Sequence, residues 1–438
     1  MSGLGRIEGS ARILALVKLA NVGLILIWGF AVTYVFVRVL PLDDFRAFLL
    51  LVAFGNFTIS AEFGLTSIIY ARLRRYWLGE TEAAGGFRLE EMGVLFLFIA
   101  VLTVGATLLL LVLLAADGIA TGAPVLFLLF FLSACLNLPA LLAKRALAAI
   151  DGNAVWEGLD CLRRVLTIAL LLSILAGVDA RLSVALQLVV SMAVIGWAIA
   201  IAHRRLGMRA RHWFAFRAGA GHVRAHYLRD VGASAAFTLS DIVAYNAPYF
   251  TIALVTADAR PMLVFDFLFK MARAVSMVVR ALVEAALPRI TRAFHAGEGA
   301  RLRQLLRRAL AAALVAGGAA AVALLAAGPW LFARLFDGHA VIGRGEMMLF
   351  SAGLLALAII GVSVYVQAAL GRFAHLLRRS LPLLAGSLLS APLAMLLWPG
   401  RFDDAFLALY VLTLLGAGGL HALSLRRLAR PSMLKGQS

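Results

Sequence analysis

Long apolar runs alternate with short polar segments from one end of the chain to the other. The runs fall at about 13–37, 45–71, 92–115, 123–143, 161–177, 182–202, 230–255, 262–284, 309–328, 346–370, 380–398 and 405–424. As a helix, a stretch of about 18 to 20 apolar residues crosses the ~30 Å hydrocarbon layer of a bilayer. Hydrocarbon offers no partner to a backbone N–H or C=O, so repeated spans of this kind must be helices. The expected fold is an all-α polytopic membrane protein with about 12 transmembrane helices. The fifth run is short for a span and extends naturally toward Asn153. The first follows Arg6 and Arg12 and continues to Val37 without a small-x-small exit, so it reads as a retained span rather than a cleaved leader.

Composition agrees. Of 438 residues, 63% are hydrophobic and only 15% charged, whereas a soluble domain is roughly half apolar and a quarter charged. The formal charge of +18 would suggest nucleic acid in a soluble protein. Here the cations lie between apolar runs and report topology instead. With the N-terminus assigned to the cytoplasm, 30 of the 41 Lys and Arg fall in inside segments, six outside and five within spans. That asymmetry predicts an inner-membrane protein with both termini cytoplasmic. Every outside loop is short; the longest, Pro329 to Gly345, has no room for a folded domain.

The longest mid-chain inside segment, 203–229, is Arg- and His-rich and divides the spans six and six. The expected organisation is an N-terminal six-helix lobe over 1–202, a basic cytoplasmic linker over 203–229 and a C-terminal six-helix lobe over 230–438. A faint repeat supports two related, pseudo-symmetric lobes. Ala61-Glu62-Phe63-Gly64-Leu65, followed by Arg72, Arg74 and Arg75, corresponds to Val283-Glu284-Ala285-Ala286-Leu287, followed by Arg289 and Arg292, and the two glutamates are 222 residues apart. Parallel repeats of this kind are related by an axis along the membrane normal.

Polar residues inside spans cost roughly 2.5–3.5 kcal/mol each on insertion scales and mark candidate sites. In span eight, Asp266, Lys270, Arg273, Met277, Arg280 and Glu284 follow steps of four, three, four, three and four, one face of a helix. This face extends about 27 Å at 1.5 Å per residue. Phe265, Leu268, Ala272 and Val279 occupy the other side. Span seven carries Ser234, Thr238, Asp241, Tyr245 and Tyr249 in a similar stripe, with Pro248 available to kink it. In the first lobe, Lys18 and Asn21 on span one lie at a depth comparable to Glu62 on span two.

Two readings of these residues compete. Asp266 with Lys270 and Arg280 with Glu284 are i,i+4 pairs, and Asp241 with Arg273 or Glu62 with Lys18 could add to them, so the charges could simply staple the bundle. Alternatively they line a hydrophilic path, which the length of the stripe favours. Arg46, Arg289 and Arg292 at its mouths tip that path positive, toward an anionic or strongly polar substrate.

Other chemistry is not indicated. The histidines, such as His203, His212, His222 and His226, fall mostly in inside loops, have no metal spacing and read as solvated. Cys135 and Cys161 suggest buried free thiols rather than a disulfide framework. No nucleotide loop, H-E-x-x-H or nucleophile elbow is found, so no cofactor and no enzymatic activity are expected. The basic inside segments fit topogenic charge, with attraction of anionic membrane lipids as their functional reading.

Several stretches resemble a known family. Val35-Phe36-Val37-Arg38-Val39-Leu40-Pro41-Leu42-Asp43-Asp44-Phe45 is similar to the "R-x-L-x-x-x-D-F" junction between the first two helices of polysaccharide-export flippases. Glu62-Phe63-Gly64-Leu65 resembles the "D-x-G-L" end of their second helix, and Ala286-Leu287-Pro288-Arg289-Ile290-Thr291-Arg292-Ala293 resembles the "P-R-L-S-R" sequence after their eighth. The resemblance implies the multidrug/oligosaccharidyl-lipid/polysaccharide flippase superfamily: two six-helix lobes around a central cavity, alternating access by rocking, and transfer of undecaprenyl-pyrophosphate-linked oligosaccharide from the cytoplasmic to the periplasmic leaflet for surface polysaccharide (O-antigen or exopolysaccharide) synthesis. It implies Lys270 and Arg273 for the pyrophosphate, with Lys18 and Arg280 assisting, and Asp241, Tyr245, Asn21 and Glu62 for sugars or protons. Implied partners are the lipid-linked oligosaccharide, membrane lipids and the polysaccharide polymerase and export machinery, with no nucleic acid. Two alternatives stay open: a multidrug cation antiporter of the same superfamily, and a membrane glycan polymerase or ligase, which the short outside loops disfavour.

Overall fold

The computed structural model describes residues 11–60, 62, 65–79, 86–116 and 118–428, and within these the side chains of all but 11–15, 59, 60, 67, 225–231, 233 and 234. Arg6, Arg430, Lys435, Ala61, Phe63 and Gly64, and the side chains of Arg12, His226 and Ser234, thus lie outside the described residues. Among the described residues all regular structure is helical. The helices are α1 (Ala11–Val39), α2 (Leu42–Ser60), α3 (Leu65–Trp77), α4 (Glu90–Ala115), α5 (Pro124–Cys135), α6 (Asn137–Ala149), α7 (Asn153–Ser173), α8 (Ala180–Arg205), α9 (Ala210–Phe214), α10 (Phe216–Val255), α11 (Arg260–His295), α12 (Gly299–Leu335), α13 (Arg344–Ala369), α14 (Phe373–Leu397) and α15 (Phe402–Leu428).

Among the described residues, eight helical segments are long and apolar enough to cross a membrane by length and composition: α1, α4, α5 with α6, α8, α12, α13, α14 and α15. The remaining expected spans are α2, α7, α10 and α11, which carry many of the polar and charged intramembrane positions. The chain is a multi-pass membrane protein.

Three details differ from the sequence reading. The second span is broken between α2 and α3, because Glu62 turns its carboxylate onto the start of α3, accepting from Thr66 N at 2.9 Å while its carbonyl accepts from Leu65 N at 3.0 Å. This satisfies amide donors that a new helix leaves open. The fourth span is two helices that meet at Leu136. The segment 203–229, expected as a polar linker, holds the end of α8, all of α9 and the first turns of the 40-residue α10.

Two compact units divide the chain, Met1–Thr238 and Leu239–Ser438, with the boundary inside α10. In the first unit, Leu73, Met92, Leu138, Trp156, Ile195 and Met208 belong to one buried core. An aromatic group binds α1, α2 and α5: the Phe36 and Phe48 rings lie 4.5 Å apart and those of Phe48 and Phe130 4.6 Å apart. Glycines let α4 touch the segment after α8. A Cβ on Gly93 would lie 2.7 Å from both His212 O and Trp213 O, and one on Gly219 would lie 2.9 Å from Glu90 O. In the second unit α11 buries Phe265, Leu268, Ala272 and Val279, the apolar side that the periodicity assigned to it. Phe267 packs edge-on against Phe332 of α12 at 5.4 Å and against Phe350 of α13 at 5.9 Å.

Backbone carbonyls cannot swing aside as side chains do, so a methyl group at Gly93 must separate α4 from α9. Gly93→Ala is expected to cost about 1–3 kcal/mol and to lower the melting temperature in detergent by a few degrees. Gly105→Ala, on the same helix with nothing within 4 Å, should leave it unchanged.

Candidate functional site

The charged face of α11 is graded from buried to exposed. Asp266 is 1% exposed. It accepts from Tyr249 Oη at 2.8 Å and pairs with Lys270 one turn on. A carboxylate this deep survives because both oxygens meet donors. The Tyr249 ring is itself clasped edge-on by Phe265 at 4.9 Å. The Lys270 side chain is only 13% exposed. Arg273, the next step, is exposed, and among the described residues it has no ion pair. Further along, Arg280 Nε donates to Glu284 Oε1 at 2.7 Å with both side chains more than half exposed, and the Arg280 guanidinium lies 5.7 Å from the Tyr365 ring centre. Of the expected pairs, Asp266–Lys270 and Arg280–Glu284 form. Asp241 and Tyr245 on α10 are half-buried, and among the described residues no ion pair joins Asp241 to Arg273.

In the first unit, Lys18 is exposed and among the described residues makes no pair with Glu62, which caps α3 instead. Asn21 is 3% exposed and is the centre of a cluster that the sequence reading did not assemble. Its amide donates to Glu157 Oε2 at 2.7 Å and Asp160 Oδ2 at 2.9 Å, and its carbonyl accepts from Arg164 Nε at 2.9 Å. Asp160 also accepts from Arg163 at 2.7 Å and Arg164 at 3.0 Å, and Lys144 Nζ stands 3.8 Å from Glu157. The signal was available: Glu157, Asp160 and Arg164 follow helical steps of three and four. The charges depress local hydropathy, so the apolar runs 123–143 and 161–177 leave Lys144, Glu157 and Asp160 between them. They lie on α6 and α7, and Arg163 is buried.

Two clusters mark the helix ends. Arg72, Glu91 and His222 form a closed set: Arg72 Nη2 to Glu91 Oε1 is 3.1 Å, and His222 Nε2 is 3.1 Å from Glu91 Oε1 and 3.0 Å from Gly86 O. His222 is 9% exposed, which corrects the expectation that it is solvated. An ion pair needs its remaining lone pair satisfied in a buried setting, and the imidazole supplies that contact. His203 accepts from Trp213 Nε1 at 3.0 Å, and His212 Nδ1 accepts from Arg209 N at 3.1 Å. In the second unit, at the start of α11, Arg260 pairs with Asp403 and lies 2.8 Å from Glu346 Oε1. Burial alone would lower the Arg260 pKa, but the two carboxylates outweigh it and hold the value above the ordinary arginine range. Cys135 is buried and Cys161 partly so; both are free thiols.

No protein-family model matches the sequence, and a search of curated proteins finds no match. Solved structures do share the fold. A mutant of the Vibrio cholerae MATE transporter VcmN is similar with a TM-score of 0.65 at 17% identity over 100% of both chains. The inward-facing form of a multidrug resistance MATE family transporter of the MOP superfamily gives 0.65 at 15% identity over 97% of this chain and 96% of that one. An outward-facing form of such a transporter gives 0.63 at 15% identity with the same coverage. The fold of the chain is thus that of MATE transporters.

Removing one carboxylate from a closed cluster leaves buried cations uncompensated. Asp160→Ala is expected to destabilise by about 3–5 kcal/mol, whereas Glu284→Ala, in an exposed pair, should cost about 0–1 kcal/mol. Chemical or thermal unfolding of the purified protein in detergent measures both.

Proposed function

We propose that this chain is a secondary transporter of the MOP superfamily, moving an organic solute across the bacterial inner membrane by alternating access, with both termini cytoplasmic. The likeness to MATE transporters over the entire length of both chains carries this reading. The similarity to an inward-facing and an outward-facing form supports a backbone able to adopt both. Multidrug transport is the substrate class these likenesses favour.

A second reading, flipping of an undecaprenyl-pyrophosphate-linked oligosaccharide, has a specific observation behind it. Organic cations need an uncompensated carboxylate in hydrocarbon. Here Asp266, Glu284, Glu157 and Asp160 each already have a basic partner, which leaves half-buried Asp241 as the candidate acid in the second unit, and Glu62, which accepts from Thr66 N, in the first. Exposed Arg273 presents a guanidinium fork suited to phosphate oxygens. On this reading Lys270 and Arg273 take the pyrophosphate, Arg280 and Glu284 border it, and Asp241 and Tyr245 face the sugars.

One strain separates the two. Under the multidrug reading, deleting the gene sensitises cells to lipophilic cations, and Asp241→Asn fails to restore resistance while Arg273→Ala restores it. Under the flippase reading, resistance is unchanged, a lipid-linked glycan accumulates on the cytoplasmic leaflet, and Arg273→Ala fails to relieve it at normal protein level. Neither phenotype in the deletion strain would remove both substrate classes.

A further inference from the structure

The membrane-facing side of α12 is legible from its exposed residues alone. Leu302, Leu306, Ala313, Leu324 and Phe332 are buried along one side of this 37-residue helix. On the other side, Ala311, Val315, Ala319, Val322, Ala326 and Trp330 recur at helical steps and are all exposed, Val315 at 72%, Val322 at 67% and Trp330 at 64%. From Ala311 to Trp330 this apolar face measures about 28 Å, close to the ~30 Å of hydrocarbon. It ends in a tryptophan, the residue enriched at the membrane–water boundary. An exposed apolar face of bilayer height, so bounded, lies against acyl chains.

Its other end opens into a basic groove. Arg303, Gln304, Arg307 and Arg308, with Ala300 and Ala311, line a concavity of about 500 Å³. All three arginines are exposed, and among the described residues none has an acidic partner; their neighbour Arg301 instead pairs with Glu298 at 3.0 Å. The groove therefore sits one step beyond the apolar face, at the depth of the inner-leaflet headgroups. Three arginines of one helix face border one open space, and among the described residues no acidic group pairs with them. Topogenic charge needs only number and side; it does not need continuity with a hydrocarbon-facing strip.

We propose that this groove is a binding site for an anionic phospholipid of the inner leaflet, whose phosphate is held by Arg303, Arg307 and Arg308 while an acyl chain follows the Ala311–Val315–Ala319–Val322 face. The two features select the occupant together. A free phosphate would use the arginines and leave the apolar face uncovered, and a zwitterionic lipid would bring its own cation against the three guanidinium groups. The site does not depend on which solute the protein carries.

Native mass spectrometry of the purified full-length protein tests this, with phosphatidylglycerol and phosphatidylethanolamine of identical chains. The expected result is selective retention of phosphatidylglycerol by the wild type. The Arg303→Gln, Arg307→Gln, Arg308→Gln triple variant should lower that retention by about tenfold or more, since each cation near an anionic surface contributes about 1 kcal/mol. Phosphatidylethanolamine retention should not move. Arg204→Gln with Arg205→Gln, exposed cations at the end of α8, should leave phosphatidylglycerol retention unchanged. Should the triple variant misfold, single Arg307→Gln must still reduce retention in the same direction. Equal retention by wild type and variants, an equal loss in the Arg204 and Arg205 variant, or displacement of the lipid by soluble glycerol phosphate would overturn the proposal. So would disulfide dimers of a Val315→Cys protein in native membranes, which would mean a second copy covers this face.

Discussion

Hydrocarbon solvates no charge, and that one constraint organises the interior of both units. A carboxylate at the depth of Asp266 persists because Tyr249 and Lys270 meet both of its oxygens. Asp160 persists because Asn21, Arg163 and Arg164 surround it. In each case the partners come from a second helix as well as from the carboxylate's own, so satisfying the charge also fixes which helices are neighbours. Tyr249 ties α10 to α11, and Asn21 ties α1 to α7. Apolar contacts add stability, but between helices that are apolar all round they discriminate poorly, because lipid tails offer nearly the same contacts. The polar clusters supply the specificity that a featureless apolar surface lacks.

The same constraint explains what the sequence disclosed and what it hid. The stripe on α11 was readable because 3.6-residue periodicity is a local property: Phe265, Leu268, Ala272 and Val279 are buried opposite Arg273 and Glu284. Partners on distant segments were not readable. Asn21 and Asp160 are separated by 139 residues, and no local pattern joins them. Charge also shortened the apolar run of α7: Glu157, Asp160, Arg163 and Arg164 lower its apparent hydropathy, so the run begins only at 161, although the helix starts at Asn153, toward which the span was extended. Glu62 misled in the opposite way. It lies within a long apolar run, yet its carboxylate serves a helix start rather than a mid-span contact. His222 looked like one more solvated loop residue until α10 brought it to Arg72 and Glu91.

Along α11 the pairing weakens in step with exposure. Asp266 and Lys270 are closed on each other in a dry setting; Arg280 and Glu284 pair where water screens them and gain little. Arg273 stands between, exposed and without an ion pair among the described residues. Pairing reduces the net charge a substrate meets without removing hydrogen-bonding capacity, since Lys270, Arg280 and Glu284 retain donors or acceptors beyond their mutual contacts. A helix arranged this way offers polar contacts along its length but one dominant positive site. Such a face would suit the anionic or strongly polar headgroup of the second reading proposed above, whereas the backbone likeness is to multidrug resistance transporters.

Fold and site therefore speak to different questions. At 14–17% identity, a shared backbone preserves helix number and connectivity, because these follow from apolar run length and inter-helix packing. It does not preserve the sign of the few intramembrane charges, which a single substitution reverses. Substrate class lives in those charges. Under the multidrug reading proposed above the deciding group is half-buried Asp241, and under the flippase reading it is exposed Arg273. The two carry opposite charges, so the substrate class follows from which of them function requires.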